Sequence, residues 1–186
     1  MNDQDNPPVA TAAEAVHLRP AQTADVAELA ALGRDSFVAK FGHMYRADDL
    51  SGFLEATYAP AAIAAELADP LRLYQLAMRG DRLVGYCKLG LACGFPDHAR
   101  GARAMELKQL YTAPDAIGGG VGGALMDWAM AELRARGADE VQLSVWSGNH
   151  AAQRFYARYG FAKVADTHFW VGSHRDDEFL FACMLE

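Results

Sequence analysis

Residues 105–137 read MELKQLYTAPDAIGGGVGGALMDWAMAELRARG, and this stretch decides the fold. Its first residues are mostly apolar and predict a strand, and Pro114 with Asp115 marks a turn. Five glycines then stand just before a run with helical periodicity that continues to Gly137. The predicted order is therefore strand, glycine loop and helix N-terminus.

The glycine loop has the properties of an anion-binding site. Glycine lacks a Cβ, so a ligand can approach the backbone closely. The first N–H groups of the following helix have no intrahelical partner, and the helix dipole adds a positive end. We therefore expect a phosphate-bearing ligand at residues 118–124.

Several kinds of loop compete for this stretch. A Walker-type loop requires Lys and Ser or Thr after its last glycine, whereas Gly123 is followed by Ala124 and Leu125, so that interpretation fails. The spacing does match the dinucleotide motif G-x-G-x-x-G, but the next strand ends near Ser147 and Asn149 and offers no acid to hold a ribose. A flexible loop, or a tight helix–strand contact without a ligand, also stays open.

Two motifs in a fixed order carry a family resemblance. Residues 106–112 read E-L-x-x-L-Y-T and are followed by a turn and by G-x-G-x-G-x-x-L-M at residues 118–126. Residues 149–161 read N-x-x-A-x-x-F-Y-x-x-Y-G-F. The chain thus resembles the GNAT acetyltransferase superfamily from about residue 16 to residue 185. One position departs from the family pattern, because Ile117 stands where the superfamily usually has Arg or Gln.

The resemblance implies acetyl-CoA as the co-substrate, with its pyrophosphate on the glycine loop. It places Asn149 near the pantetheine arm and Tyr156 near the sulfur, and it assigns backbone N–H groups of residues 110–112 to the oxyanion. The expected cofactor-binding residues are Leu110, Tyr111, Thr112, Gly118, Gly119, Gly120, Val121, Gly122, Gly123, Ala124, Asn149 and Tyr156.

The resemblance also implies two catalytic residues. Glu106 has the position of the family's usual general base, and an acceptor ammonium with a pKa of about 10 needs a base to remove its proton. Two alternatives stay open: water acts in place of Glu106, or Glu106 is a solvated or salt-bridged strand residue. Tyr156 is the expected general acid, since a phenol stays protonated at neutral pH and can donate to a thiolate. Its alternative role is that of a half-buried core aromatic.

The remaining patterns predict one α/β domain. Thr23 is the expected N-cap of a first helix, a second helix continues to Tyr58, and Pro60 begins a third. The other expected elements are strands at 16–19, 73–78, 83–91, 107–112 and 140–146, a helix at 149–159, and a closing hairpin of 161–171 and 178–185 around a turn at 172–177. The fold class is GNAT-like: a mixed, mostly antiparallel central sheet with a parallel βαβ unit from 107–112 to 141–146 and helices on both faces.

Composition limits the domain count and the function classes. With 186 residues, 52% of them hydrophobic, a single domain at residues 16–186 is expected, after a flexible polar tail at 1–15. The three cysteines form no C-x-x-C pair, the six histidines lack ligand spacing, and no run suits a membrane span, so we expect no metal, no membrane and a cytoplasmic location. The net charge of −7 argues against nucleic acid and favours a cationic small molecule.

A finer resemblance concerns the acceptor. Segments along nearly the whole chain, including T-H-F-x-x-G at residues 167–172, look like the PaiA-type branch, which acetylates polyamines and other small amines. Asp48, Asp49 and Glu55 could line an amine pocket, although a solvated helix face is the alternative. A peptide or protein amine, a non-catalytic acyl-CoA-binding module, and a homodimer stay open. His168 and Asp177 match branch positions without a derivable role.

Overall fold

The computed structural model describes residues 15–185, so the predicted tail, residues 1–15, lies outside the described residues except for Ala15. The strands in this range are β1 (Val16–Pro20), β2 (Arg72–Arg79), β3 (Arg82–Gly90), β4 (Ala104–Thr112), β5 (Glu140–Trp146), β6 (Ala162–Val171) and β7 (His174–Met184). The helices are α1 (Val26–Phe41), α2 (Ala47–Tyr58), α3 (Pro60–Ala68), α4 (Val121–Ala135) and α5 (His150–Ala157).

The strands form one sheet in the order β1-β2-β3-β4-β5-β7-β6. Neighbouring strands are antiparallel except β4 and β5, which are parallel and are joined through α4. The predicted α/β fold class, with a mixed and mostly antiparallel sheet and one parallel pair, is confirmed.

The predicted parallel βαβ unit is confirmed, but its paired segment is short. Only Ala104–Glu106 pairs with Glu140–Gln142, so the pairing lies before Leu107, where the strand was expected to begin. The cause lies in β4, where Lys108 is an extra residue in the register with β3, a β-bulge. A bulge bends its strand and increases the local twist, so β4 leaves β5 just beyond Glu106. The sheet is therefore split along the second half of β4.

Hydrophobic residues cover both faces of the sheet. On one face α4 packs on the sheet through Val121, Leu125, Ala129 and Leu133, all fully buried, and α5 adds partly buried aromatic residues; we call this the α4 face. The other face, which we call the α1 face, is covered by α1, α2 and α3, with Leu29, Phe37, Leu54, Tyr58 and Ile63 in its core. The prediction of helices on both faces is thus confirmed.

The first helix does not begin as predicted. Thr23 opens a 3₁₀ turn, Thr23–Asp25, and α1 follows it from Val26. The capping carboxylate is Asp25, which accepts the backbone N–H of Gln22 at 2.7 Å and pairs with Arg19 at 2.7 Å. Arg19 lowers the pKa of Asp25, so this carboxylate stays charged and keeps both contacts.

The closing hairpin is also tighter than predicted. Val171 pairs with His174, so the turn is Gly172–Ser173 alone, and residues 174–177 belong to β7. The polar run H-R-D-D at these positions suggested a loop. In the structure this run belongs to strand β7. Because β6 is an edge strand and much of the hairpin is exposed, the polar side chains can be solvated while the backbone keeps its hydrogen bonds to β6.

Close approach of α4 to the sheet depends on Gly85 in β3. A Cβ at this position would lie 2.7 Å from Cγ1 of Val121 and 2.8 Å from the backbone oxygen of Tyr111. Gly85→Ala should therefore push the start of α4 away and destabilise the chain by about 1–3 kcal/mol in urea unfolding. Gly52→Ala in α2, where a Cβ meets nothing within 4 Å, is the matched control and should stabilise by roughly 0.5–1 kcal/mol. Equal effects of the two changes would contradict this packing.

Candidate active site

A cleft of about 1240 Å³ passes through the split in the sheet. Its lining comes from both faces: the glycine loop and α5 on the α4 face, and aromatic and acidic residues on the α1 face. Leu110, Tyr111 and Thr112 line it on the β4 side, and Ser144, Val145 and Trp146 line it on the β5 side. The two strand segments that separate after the bulge therefore form the walls of the opening.

The glycine loop lies at one end of this cleft, and its geometry fits a phosphate group. Gly118 and Gly120 have φ values of 84° and 80°, which only glycine adopts without strain, and a Cβ at either position would point into open space. The first backbone bond of α4 runs from Ala124 N to Gly120 O at 3.0 Å, so the N–H groups before it are those of the free first turn. Gly118, Gly120, Gly122 and Gly123 line the cleft.

Three of the predicted loop residues have other contacts. Val121 is fully buried against β3, Gly119 faces β2, and Ala124 lies in the first turn of α4 without lining the cleft. Arg79 faces Gly119, and its Nη2 would lie 3.0 Å from a Cβ at that position. The buried Nε of Arg79 has no hydrogen-bond partner among the described residues. Sequence reasoning missed Arg79, because it reaches the loop from the β2–β3 hairpin. Ile117, 73% exposed, lines the cleft without adding charge.

Helix α5 brings Asn149 and Tyr156 to the same side of the cleft. Asn149 caps the helix, as its Oδ1 accepts the N–H of Ala152 at 3.3 Å. The ring of Tyr156 packs beside Phe155 and Phe161, at centroid distances of 5.4 and 6.1 Å. Burial raises the pKa of the Tyr156 phenol, so this hydroxyl keeps its proton at neutral pH and can act as a donor.

Glu106 lines the cleft but already has a cationic partner. Its side chain is largely buried, and Oε2 accepts from Nζ of Lys108 at 2.8 Å. Gly94 lies against the same carboxylate, which leaves no room there for a side chain. Of the alternatives for Glu106, this geometry is that of the salt-bridged strand residue.

The three acids of α2 that could have lined an amine pocket lie outside the cleft. Asp49 accepts the backbone N–H and the hydroxyl of Ser173 at 3.1 and 2.9 Å, and these bonds lower its pKa. Asp48 is exposed, and exposed Glu55 lies 3.9 Å from Arg34. None of the three acids lines the cleft: Asp48 and Glu55 belong to a solvated helix face, the other interpretation offered by the sequence, and Asp49 binds the β6–β7 turn.

Four other carboxylates line the α1 face of the cleft. They are Glu66, Glu106, Asp176 and Glu178. Nζ of Lys88 pairs with Glu66 at 2.9 Å, as Lys108 does with Glu106, whereas Asp176 and Glu178 have mainly hydroxyl partners. The latter two were missed because residues 174–177 were assigned to a turn, which hid their i, i+2 spacing on one strand face.

Asp176 and Glu178 form the acidic end of the cleft. The Tyr45 hydroxyl donates to Asp176 at 2.5 Å, and Nε2 of His174 lies 3.2 Å from the same carboxylate. The Ser144 hydroxyl donates to Glu178. Burial, with the like charge of Asp176 as a smaller cause, raises the pKa of Glu178. This end of the cleft suits a cation.

Fold and cleft together define a class of protein. An anion-binding helix start on one face and an acidic pocket on the other share an opening through a split sheet, as a two-substrate transferase requires. A solved structure of this fold is the PaiA N-acetyltransferase of Thermoplasma acidophilum in complex with coenzyme A, with a TM-score of 0.75 at 19% identity over 92% of this chain and 99% of that chain.

The chain belongs to the acetyltransferase (GNAT) family, whose model matches residues 38–161. An uncharacterized N-acetyltransferase of Mycobacterium tuberculosis is 32% identical over 157 residues, which cover 84% of this chain and 95% of the relative. The aminoalkylphosphonate N-acetyltransferase of Salmonella typhimurium is 34% identical over 99 residues, 53% of this chain and 62% of that protein. The protein is therefore an N-acetyltransferase that uses acetyl-CoA.

Within residues 15–185, His, Cys, Asp and Glu side chains nowhere gather in a group of three that could hold a metal ion. In the same range, no helix combines the length and apolarity needed to cross a membrane.

Proposed function

We propose that this N-acetyltransferase acetylates the primary amine of a small molecule by direct transfer from acetyl-CoA. The cleft carries this proposal, because it joins an anion site on the α4 face to an acidic pocket on the α1 face. Acetyl-CoA bound on the α4 face and an amine bound on the α1 face would meet in the opening between β4 and β5. Direct transfer is further supported by the cysteines, none of which lines the cleft as a thiol nucleophile would.

The residues for holding acetyl-CoA follow from the lining of the cleft. The glycine loop and the first turn of α4 offer N–H groups for the pyrophosphate. Residues 110–112 of β4, beyond the pairing with β5, offer backbone groups for the amides of the pantetheine arm and for the oxyanion. Asn149 adds a side-chain amide on the same side. Acetyl-CoA supplies the activated acetyl group.

Tyr156 is the proposed general acid. It lines the cleft near the opening, and no described residue accepts a hydrogen bond from its hydroxyl, which leaves it available to a leaving group. Because burial holds its pKa above the usual value, the phenol is fully protonated at neutral pH. A thiolate expelled beside it can take this proton.

A small acceptor is supported by contacts across the acidic end of the cleft. Phe53 of α2 meets Phe169 of β6 at a centroid distance of 5.6 Å, and Phe41 of α1 meets Trp146 of β5 at 6.1 Å. Asp49 binds the backbone of the β6–β7 turn. These contacts roof the pocket, whereas an extended peptide needs an open groove.

The acceptor is tested by a panel of amines with acetyl-CoA, in which release of the free thiol reports turnover. We expect small primary amines to give higher kcat/KM than a peptide N-terminus, because the roofed pocket excludes a chain. Spermidine in the panel tests the PaiA-like polyamine branch predicted from sequence, and benzylamine represents a monoamine. Preference for the peptide would refute the small-molecule assignment and leave the transferase intact.

The phosphate site is tested at Gly120, where the backbone is left-handed and the space beyond is open. Gly120→Asp and Gly120→Asn bring similar strain and bulk, but only Asp adds a negative charge beside the pyrophosphate. Asp should weaken acetyl-CoA binding about tenfold more than Asn in calorimetry, the order expected for a charge at a helix end. If both variants bind acetyl-CoA equally, the loop does not hold the phosphates.

The acid is tested by Tyr156→Phe, which keeps the ring packing and removes the proton donor. Single-turnover rates should fall roughly 10²–10⁴-fold, while acetyl-CoA affinity changes little. Tyr159→Phe is the matched control, because the Tyr159 hydroxyl lies 3.4 Å from the Gly123 oxygen and its loss should affect acetyl-CoA affinity only. An unchanged chemical rate in Tyr156→Phe would exclude it as the acid.

A further inference from the structure

Glu178 differs from the other acids of the cleft in its partners. Glu66 pairs with Lys88 and Glu106 with Lys108, and Asp176 accepts from the Tyr45 hydroxyl and lies 3.2 Å from Nε2 of His174. Among residues 15–185, no Lys, Arg or His forms an ion pair with Glu178, whose hydrogen bond comes from the neutral Ser144 hydroxyl. A partly buried carboxylate without a counter-ion is costly, and a cationic ligand would offset this cost.

The position of Glu178 directs it toward the opening. It pairs with Trp146 across β5 and β7, and its partner Ser144 lies on the β5 segment that has separated from β4. From β4, Tyr111 lines the same cleft as Glu178 and Ser144. Glu178 thus lies on the acceptor side of the opening, where the amine and the acetyl group would meet.

We propose that Glu178 binds the ammonium of the acceptor and takes its proton, with Asp176 supplying the second negative charge of the ammonium site. This inference rests on the proposed function. Glu106, assigned as the base from sequence, is left as a structural partner of Lys108, because its Oε2 already accepts from Nζ of Lys108 at 2.8 Å.

The proton and electron balance of the step needs no further reactant. One ammonium proton moves to Glu178, and the freed nitrogen lone pair forms the C–N bond with the thioester carbonyl carbon. The C–S bond breaks, its electron pair leaves with sulfur, and sulfur takes the proton of Tyr156. The second nitrogen proton restores the Tyr156 hydroxyl, and Glu178 releases its proton to solvent with the product.

The groups around Glu178 favour this role. Asp176 on β7 adds a like charge. Tyr45, between α1 and α2, and Tyr111 on β4 are phenols whose pKa values are raised, so they remain neutral. Ser144 on β5 donates a hydrogen bond and does not titrate. Burial, and to a smaller extent the charge of Asp176, raise the pKa of Glu178 above that of an ordinary glutamate, while the hydrogen bond from Ser144 acts in the opposite direction. Such a carboxylate is a better base than an ordinary glutamate.

The test is the pH dependence of kcat/KM for spermidine, benzylamine and a peptide N-terminus in wild type and Glu178→Gln, which retains an acceptor for Ser144. If a carboxylate removes the ammonium proton, wild-type kcat/KM is flat between the pKa of Glu178 and that of the amine. Without the carboxylate only the free amine reacts, so kcat/KM of Glu178→Gln should rise about tenfold per pH unit toward the pKa of the amine, roughly 10 for a primary alkylamine and about 8 for the peptide N-terminus. At pH 7 the expected loss is roughly 10²–10⁴-fold.

Three further variants separate catalysis from structure. Glu178→Asp keeps a carboxylate and should restore a flat profile at lower rate, whereas Glu55→Gln, outside the cleft, should match wild type throughout. A Glu178→Gln profile parallel to that of wild type would overturn the proton-accepting role, as would a tenfold rise per pH unit in Glu106→Gln alone. If wild type acetylates none of the amines, the proposed function fails together with the inference. If wild type is active, only the role of Glu178 is at issue.

Discussion

The separation of β4 from β5 is the feature on which the site depends. Pairing ends at Glu106 and Gln142, and the bulge at Lys108 bends β4 away immediately afterwards. Backbone groups in the middle of a sheet are then left without a strand partner, a condition that proteins usually avoid. Such an opening persists because α4 and α1 hold the sheet from both faces, and it gives an extended ligand a path through the sheet with hydrogen-bonding groups along it.

Charge is divided across this opening. On the α4 face, the free N–H groups of the first helical turn and the guanidinium of Arg79 make the surroundings of the loop positive. On the α1 face, two lysines neutralise Glu66 and Glu106 and leave Asp176 and Glu178 as the net negative end. The net charge of the chain predicted a cationic partner; the carboxylates without a lysine partner that line the cleft are these two, and the acids of α2 lie outside it.

The parts of the site that sequence predicted are those encoded by local pattern. The glycines, the helical period after them and the Asn149 cap are each readable within one element, and the structure has these elements where they were expected. Arg79, the bulge at Lys108 and the pair Asp176 and Glu178 were missed. Each depends on strand register or on a neighbouring element. The alternation of apolar and polar residues along β4 cannot reveal a bulge, which is defined only by pairing with β3. Arg79 reaches the glycine loop only once the β2–β3 hairpin has folded.

The acidic pocket was missed through a single error in turn length. A turn of six residues would leave Asp176 in solvent, whereas the two-residue turn makes it part of β7, with Glu178 on the same face. The short turn is specified by Gly172, whose φ is +57° and where a Cβ would overlap the Asp49 carboxylate. Only glycine lets α2 and the hairpin approach this closely. The contact between Asp49 and this turn therefore fixes the register of Asp176 and Glu178 in β7. It also holds α2 over the acidic end of the cleft, so one contact determines both the charge and the size of the pocket.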